Sequence, residues 1–439
     1  MNRTKPEREE VQGSVLIVAL CLLFIVAGLV ITILDVASDH RAIATRQVKV
    51  DQAMYVAESG VEVAARFMQS NLVVIVSSST GATNGSGSVG LGSYNWYIYR
   101  VTNTSTYSII STGTVNGVTS GSGASNAVTR VVSLMDVYQP TYGQFALWSS
   151  NNNAVYFVTG DSFNGPVYSA TELYFSGSPA FYSWLISDWG TYSGDLSTVT
   201  LTDGLTLNTQ MGSMADVNFN SGSSSLKSIA ISSGLEVSGN TTLTFNGGTV
   251  TVTTSGGTQT YTIPSSGGII YVANNGTSSG SNAGKIYLEG GTVTGPLTVA
   301  SEASMYIENN ITYTHNPVTD PTTTDSLGLI SQDNIYVANN APTSLTIDAG
   351  MIAAGTSGDG SAGSFEVKNY STKTPTGTLT VYGGIVQDVR GAVGTANGSG
   401  TITTGYAKNY TYDPRLLKTP PPDYPVMSNM LTFSQWQEN

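Results

Sequence analysis

The chain has 439 residues, with 17 Lys or Arg against 29 Asp or Glu, a net charge of −12 and only 10% charged residues. No Lys or Arg occurs across residues 131–226, and without clustered cations to neutralise phosphates, nucleic acid is excluded as a partner. The single Cys, Cys21, excludes an intramolecular disulfide and a thiolate metal cluster, while His40 and His315 stand far apart without Cys partners, so no metal and no cofactor is expected. The length accommodates two or three domains. The 49 Gly, together with many Ser, Thr and Asn, favour turns and strands over helix interiors.

Residues 14–34, SVLIVALCLLFIVAGLVITIL, carry no charge. At about 1.5 Å per residue they match the roughly 30 Å hydrocarbon thickness of a bilayer, so they read as a membrane-spanning helix. A cleaved signal peptide is the competitor, but its apolar region is typically about 7 to 15 residues. Arg3, Lys5 and Arg8 precede the run and predict a cytoplasmic N-terminus with the rest of the chain across the membrane. Val50, Met54, Ala57, Val61, Ala64 and Met68 then recur at spacings of four and three, which lines one helix face, the expected assembly face, and predicts a helix over 14–76. A break near residues 35–39 is the alternative.

These residues resemble a known family. A charged leader, 1–13, ending at Gly13 and followed at once by Ser14 and the apolar run is similar to the class III leader of type IV pilins and type II secretion pseudopilins. QGSVLIVALCLLFIVAGLVITIL with QAMYVAESGVEVAARFM resembles the PilX-like and GspK-like minor pilins, whose Ala-Glu-x-Gly run is matched by Ala57, Glu58, Ser59 and Gly60. The resemblance implies a prepilin peptidase cutting between Gly13 and Ser14, and a helix that packs with other pilin-like subunits. One departure is Val18, at the fifth position after the cut, where major pilins carry Glu; several tip-located minor pilins lack it too.

Further along, the Gly/Ser-rich residues 77–93 read as a flexible linker. Residues 94–139 hold β-branched and aromatic runs divided by Asn, Gly and Ser, and predict a small antiparallel meander packed on Val61, Ala64 and Met68. Residues 140–425 show no helical period; short apolar runs such as GGIIYVANN and GKIYLEGGTVTG end in Gly or Asn. The expected architecture is therefore α+β, with a long helix, a small sheet and a mainly β head, a parallel β-helix ahead of a β-sandwich. TGDSFNGPVYSATELYF, LGLISQDNIYV and VYGGIVQDVRGAVGT through DPRLLKTPPPDYP resemble a bacterial domain family of unknown function whose members also begin with a PilX-like segment. TPPPDYP reads as an extended polyproline-like finish, and residues 426–439 as an exposed tail.

For chemistry, Asp161, Asp188, Asp195 and Asp203 fall in the cation-free stretch and read as surface carboxylates. Asp359 in TSGDGSAG lacks the spacing of a calcium loop, and no glycine run carries a phosphate-binding fingerprint. Arg390 and Arg415 are expected to pair with Asp388 and Asp413 and clamp the last strand. Trp148, Trp184 and Trp189, with the 24 Tyr, offer either core packing or stacking faces for surface glycans. The expectation is a non-enzymatic minor or tip subunit of a type IV pilus or pseudopilus, held in membrane lipid through 14–34, its head outside the cytoplasm or on a surface pilus and of adhesive character. A membrane-tethered glycan-binding or glycan-active protein and a non-filament envelope protein are the alternatives.

Overall fold

The computed structural model describes residues 10–77, 83–101, 106–116, 127–211, 217–275, 284–356, 362–427 and 431–438. Contacts divide the chain into two units, one of Met1–Val101, Tyr107–Val137 and Phe433–Asn439, the other of Thr102–Thr106 and Tyr138–Thr432. Asp359 lies outside the described residues.

The first unit is built on α1 (Glu10–Ser77), a single helix of 68 residues, about 100 Å long at 1.5 Å per residue. No Pro occurs between Pro6 and Pro140, so no residue there lacks the N–H that the helix ladder needs. Asp35 and Asp39 are exposed and do not interrupt it. Every described side chain from 15 to 48 is exposed, whereas Ala53, Val56, Ala57, Val61, Ala64 and Met68 are at most 5% exposed. Against that stripe lie β1 (Thr83–Val89), β2 (Gly92–Arg100), β3 (Tyr107–Val115) and β4 (Val128–Val137), paired antiparallel in that order. Tyr94, Trp96, Ile98, Ile109 and Leu134 supply the sheet's side of the core.

Two expectations are corrected in this unit. The stretch 77–93 contains β1, which pairs with β2 along its whole length. A Cβ on Gly85 would run into the Trp96 indole and one on Gly87 into the Tyr94 ring, so these glycines make room for aromatic side chains on the neighbouring strand. In the C-terminal tail, Gln435–Glu438 forms a strand that pairs antiparallel with β4 and completes the sheet's edge.

In the second unit most strands join one large, mostly parallel sheet. Its longest register aligns Leu235, Ile270, Val299, Leu329, Met351, Ile385, Leu147, Val167, Leu185 and Leu205 on successive strands. A second aligns Phe245, Gly291, Ile311, Ile347, Val381, Tyr410, Phe163, Phe181 and Leu201. The order departs from chain order: Leu147–Asn151 pairs beside Gly377–Val389, so the unit's first strand meets one of its last. Gly268–Ala273 and Ser326–Ser331 are buried at every position, as strands covered on both faces are.

The outward side of the first register explains that double burial. Trp148, Tyr168, Tyr271, Ile330, Ile352 and Val386 are covered by Phe219, Leu226, Ala230 and Tyr424. Leu226 and Ala230 belong to α2 (Leu226–Ser233), a helix within the stretch expected to hold none; Ser225 caps it, its Oγ accepting from Ser228 N at 3.2 Å. A second, single-turn helix is α3 (Arg415–Lys418). The TPPPDYP run turns rather than extends, with Tyr424 N donating to Pro421 O at 3.2 Å and Asp423 at φ 56°.

Candidate functional site

Gly13 and Ser14 lie in the first turns of α1, and Val18 is exposed. The expected assembly face is corrected in part: of its six residues, Ala57, Val61, Ala64 and Met68 are buried under the chain's own sheet and so closed to other subunits, while Val50 and Met54 are half-buried. Ala53, Val56 and Gly60 share that burial and were not part of the expected stripe. Close approach accounts for the Ala-Glu-Ser-Gly run. A Cβ on Gly60 would meet Ser111 Oγ and the Tyr94 ring, and one on Gly113 of β3 would meet the α1 backbone at Ala53 and Ala57. The helix is long and apolar enough to cross a membrane over the segment that the sheet leaves uncovered.

Inside the second unit the structure gathers charges that lie far apart in sequence. Asp161, expected at the surface, is 2% exposed; its Oδ2 receives Lys408 Nζ at 2.6 Å and Val158 N at 2.9 Å, and its Oδ1 receives Lys408 N at 3.1 Å. Arg390 is buried too and does not pair with Asp388. Its Nη1 donates to Asn152 Oδ1 at 2.7 Å and to Val155 O at 2.9 Å, and its guanidinium lies 3.6 Å from the Phe157 ring centroid. Burial pushes the Arg390 guanidinium down to about 10, with Asp161 opposing the shift. The Lys408 ammonium is also lowered, by burial first, again against the pull of Asp161. Asp161 is thus ion-paired with Lys408, while Arg390 is anchored on Asn152 and Val155 and feels the same carboxylate only through space.

Arg415 does pair with Asp413, through Nε at 3.0 Å and Nη2 at 2.7 Å, and its Nη1 reaches Thr323 O at 2.9 Å, so α3 is tied to the 314–326 loop. Beside it Asp348 accepts Tyr313 N at 3.0 Å, and burial raises its carboxyl to about 6. His315 is exposed, with Nδ1 2.9 Å from Asp325 Oδ2. Glu302 had no counterpart in the sequence reading. Burial alone would raise its carboxyl, but Asn274 N, Tyr271 Oη and Lys227 together hold it below the usual range.

Asp188 is half-buried, and Asp195 and Asp203 are exposed. Among the described residues no group of three or more His, Cys, Asp or Glu is arranged to hold a metal ion. The tryptophans separate: Trp148 is fully buried, whereas Trp184 and Trp189 are 54% and 52% exposed. Compared with family models, curated proteins and solved structures, the chain finds no match.

Proposed function

We propose that the chain is a pilin-like structural subunit, processed by a prepilin peptidase between Gly13 and Ser14, that assembles through α1 with other pilin-like subunits and displays its β-rich unit outside the cytoplasmic membrane. One observation carries this reading. α1 is a continuous helix whose 53–68 stripe is covered by the chain's own sheet while residues 15–48 are exposed on every side. So large an apolar surface needs lipid or other helices to cover it. Because the stripe at Ala57, Val61, Ala64 and Met68 is already occupied, assembly falls to the uncovered segment, and the subunit is one that moves from bilayer to filament core without refolding its sheet. For the head we read the parallel registers as coils of a β-helix; parallel pairing over so many strands favours it over a β-sandwich, whose sheets are antiparallel.

The test is intact-mass and N-terminal analysis of protein recovered from native membranes or filaments. A chain beginning at Ser14 is expected; a chain retaining residues 1–13 overturns the pilin mechanism. In a companion variant, Val26→Glu is expected to abolish incorporation into filaments while the head folds unchanged, since a carboxylate at the centre of an apolar bundle costs several kcal/mol.

A further inference from the structure

We propose that the 156–208 segment of the second unit carries a binding site for a neutral glycan chain, centred on Trp184 and Trp189. The aromatic surface there is concentrated. Among the described residues of this unit, Tyr156, Tyr182, Trp184, Trp189 and Tyr192 are exposed, and only Tyr370 lies outside the 156–192 stretch. Trp184 stands between successive turns: its carbonyl accepts from Val167 N at 2.9 Å on one side, while Leu185 N donates to Gly204 O at 3.3 Å on the other. Gly204, at φ 85°, belongs to the segment that pairs alongside Trp184, carries no side chain, and has no atom within 4 Å of where a Cβ would stand. Trp189 is fixed in the same way, its carbonyl accepting from Asn208 N at 3.4 Å.

The exposed polar groups of the following segment, residues 202–208, define the ligand. Thr202, Asp203 and Asn208 are exposed, and hydroxyl, carboxylate and amide groups are hydrogen-bond partners for sugar hydroxyls, while a flat ring face takes the C–H side of a pyranose. With no Lys or Arg across residues 131–226 and carboxylates at Glu172, Asp188, Asp195 and Asp203, a polyanion is repelled. The two tryptophans are five residues apart, so their Cα atoms lie at most about 18 Å from each other along an extended chain, a spacing on the scale of a short oligosaccharide rather than one ring. This inference names the ligand of the displayed head; it rests on that display and not on filament assembly.

The experiment uses the full-length protein in a sugar-free zwitterionic detergent, run through native gels containing dextran, mannan, soluble cellulose ether or chondroitin sulfate. Retardation by at least one neutral polymer is expected, with apparent affinity falling at least tenfold in Trp184→Ala and Trp189→Ala and unchanged in Tyr370→Ala, at an unaltered melting temperature. The proposal is overturned by equal mobility in all three neutral gels, by retention that survives both tryptophan substitutions, by stronger retention on chondroitin sulfate, or by competition from a casein digest instead of free oligosaccharide. The variants keep α1 intact, so a failure of assembly reads out separately as the N-terminus and filament content.

Discussion

At the scale of single residues, the buried trio of Asp161, Lys408 and Arg390 makes an asymmetric prediction. Asp161→Asn leaves the buried Lys408 ammonium without its carboxylate, with buried Arg390 adding like charge, and is expected to destabilise the second unit by about 3–5 kcal/mol. Lys408→Met leaves Asp161 with Arg390 still nearby and is expected to cost distinctly less; chemical denaturation of the two variants side by side checks the order. Asp348 gives the pH dependence. Its carboxyl is raised to about 6 by burial, with the Tyr313 N–H and Arg415 opposing and Asp413 adding to the shift. A folded pKa above the unfolded one means the native state holds the extra proton, so stability is greatest below about 4 and declines as pH rises to about 6. Asp348→Asn is expected to remove that decline and to raise stability at pH 7 by on the order of 1–2 kcal/mol, allowing for partial solvation; thermal melts across pH 4–7 are the measurement. A further residue pattern runs through the parallel ladders: Ser301, Ser331, Ser169 and Ser187 are aligned with one another through the register, and each hydroxyl accepts the N–H two residues on, at 3.0, 3.1, 3.3 and 3.0 Å. Each serine ends a strand by satisfying the second amide beyond it, the first being taken by a carbonyl of the neighbouring strand.

At the scale of elements, the union of α1 and β3 depends on glycine. Gly113 sits where any side chain would press on the α1 backbone, and backbone cannot move aside as a flexible side chain can. Gly113→Ala is expected to lower the stability of the helix–sheet unit by about 1–3 kcal/mol, whereas Gly28→Ala, with nothing within 4 Å of its Cβ position, leaves it unchanged; limited proteolysis in detergent, followed at the 83–137 sheet, separates the two. The same logic explains why 77–93 misleads as a sequence. TNGSGSV has the composition of a linker, yet its glycines are spaced by two, so both face the aromatic side of β2, and only the partner strand makes that spacing meaningful. In the tail, QWQE carries no strong strand signal either; it becomes a strand because β4 offers an unpaired edge.

At the scale of the whole molecule, residues 138–432 enter and leave the second unit at one place. Tyr138 N donates to Thr432 O at 2.9 Å and Thr432 N to Tyr138 O at 2.8 Å, so the ends of that stretch are held together by the unit itself. A fragment of residues 138–432 is therefore expected to fold alone and melt cooperatively, with Asp161→Asn shifting its transition; circular dichroism of the soluble fragment tests this. Adjacent ends are what an insertable domain needs.

The sequence by itself determined the helix, its apolar first part and its buried stripe, because those depend on local propensity and a period of 3.6 that neighbouring residues express directly. It also marked the strand-rich character of residues 140–425 and the pairing of Arg415 with Asp413, two positions apart. Only the tertiary structure decided the rest. The partnership of Asp161 with Lys408 spans 247 residues, and the Leu147 strand's place beside Ile385 inverts chain order; no local pattern encodes either. α2 was hidden because its SLKSIAISSG segment is polar by composition and finds its apolar side only against Ile269 and Tyr271. Trp148, Trp184 and Trp189 look alike as letters, and long-range packing alone made one core and left two at the surface. Burial is a property of what the rest of the chain places alongside a residue, and that is set by contacts distant in sequence.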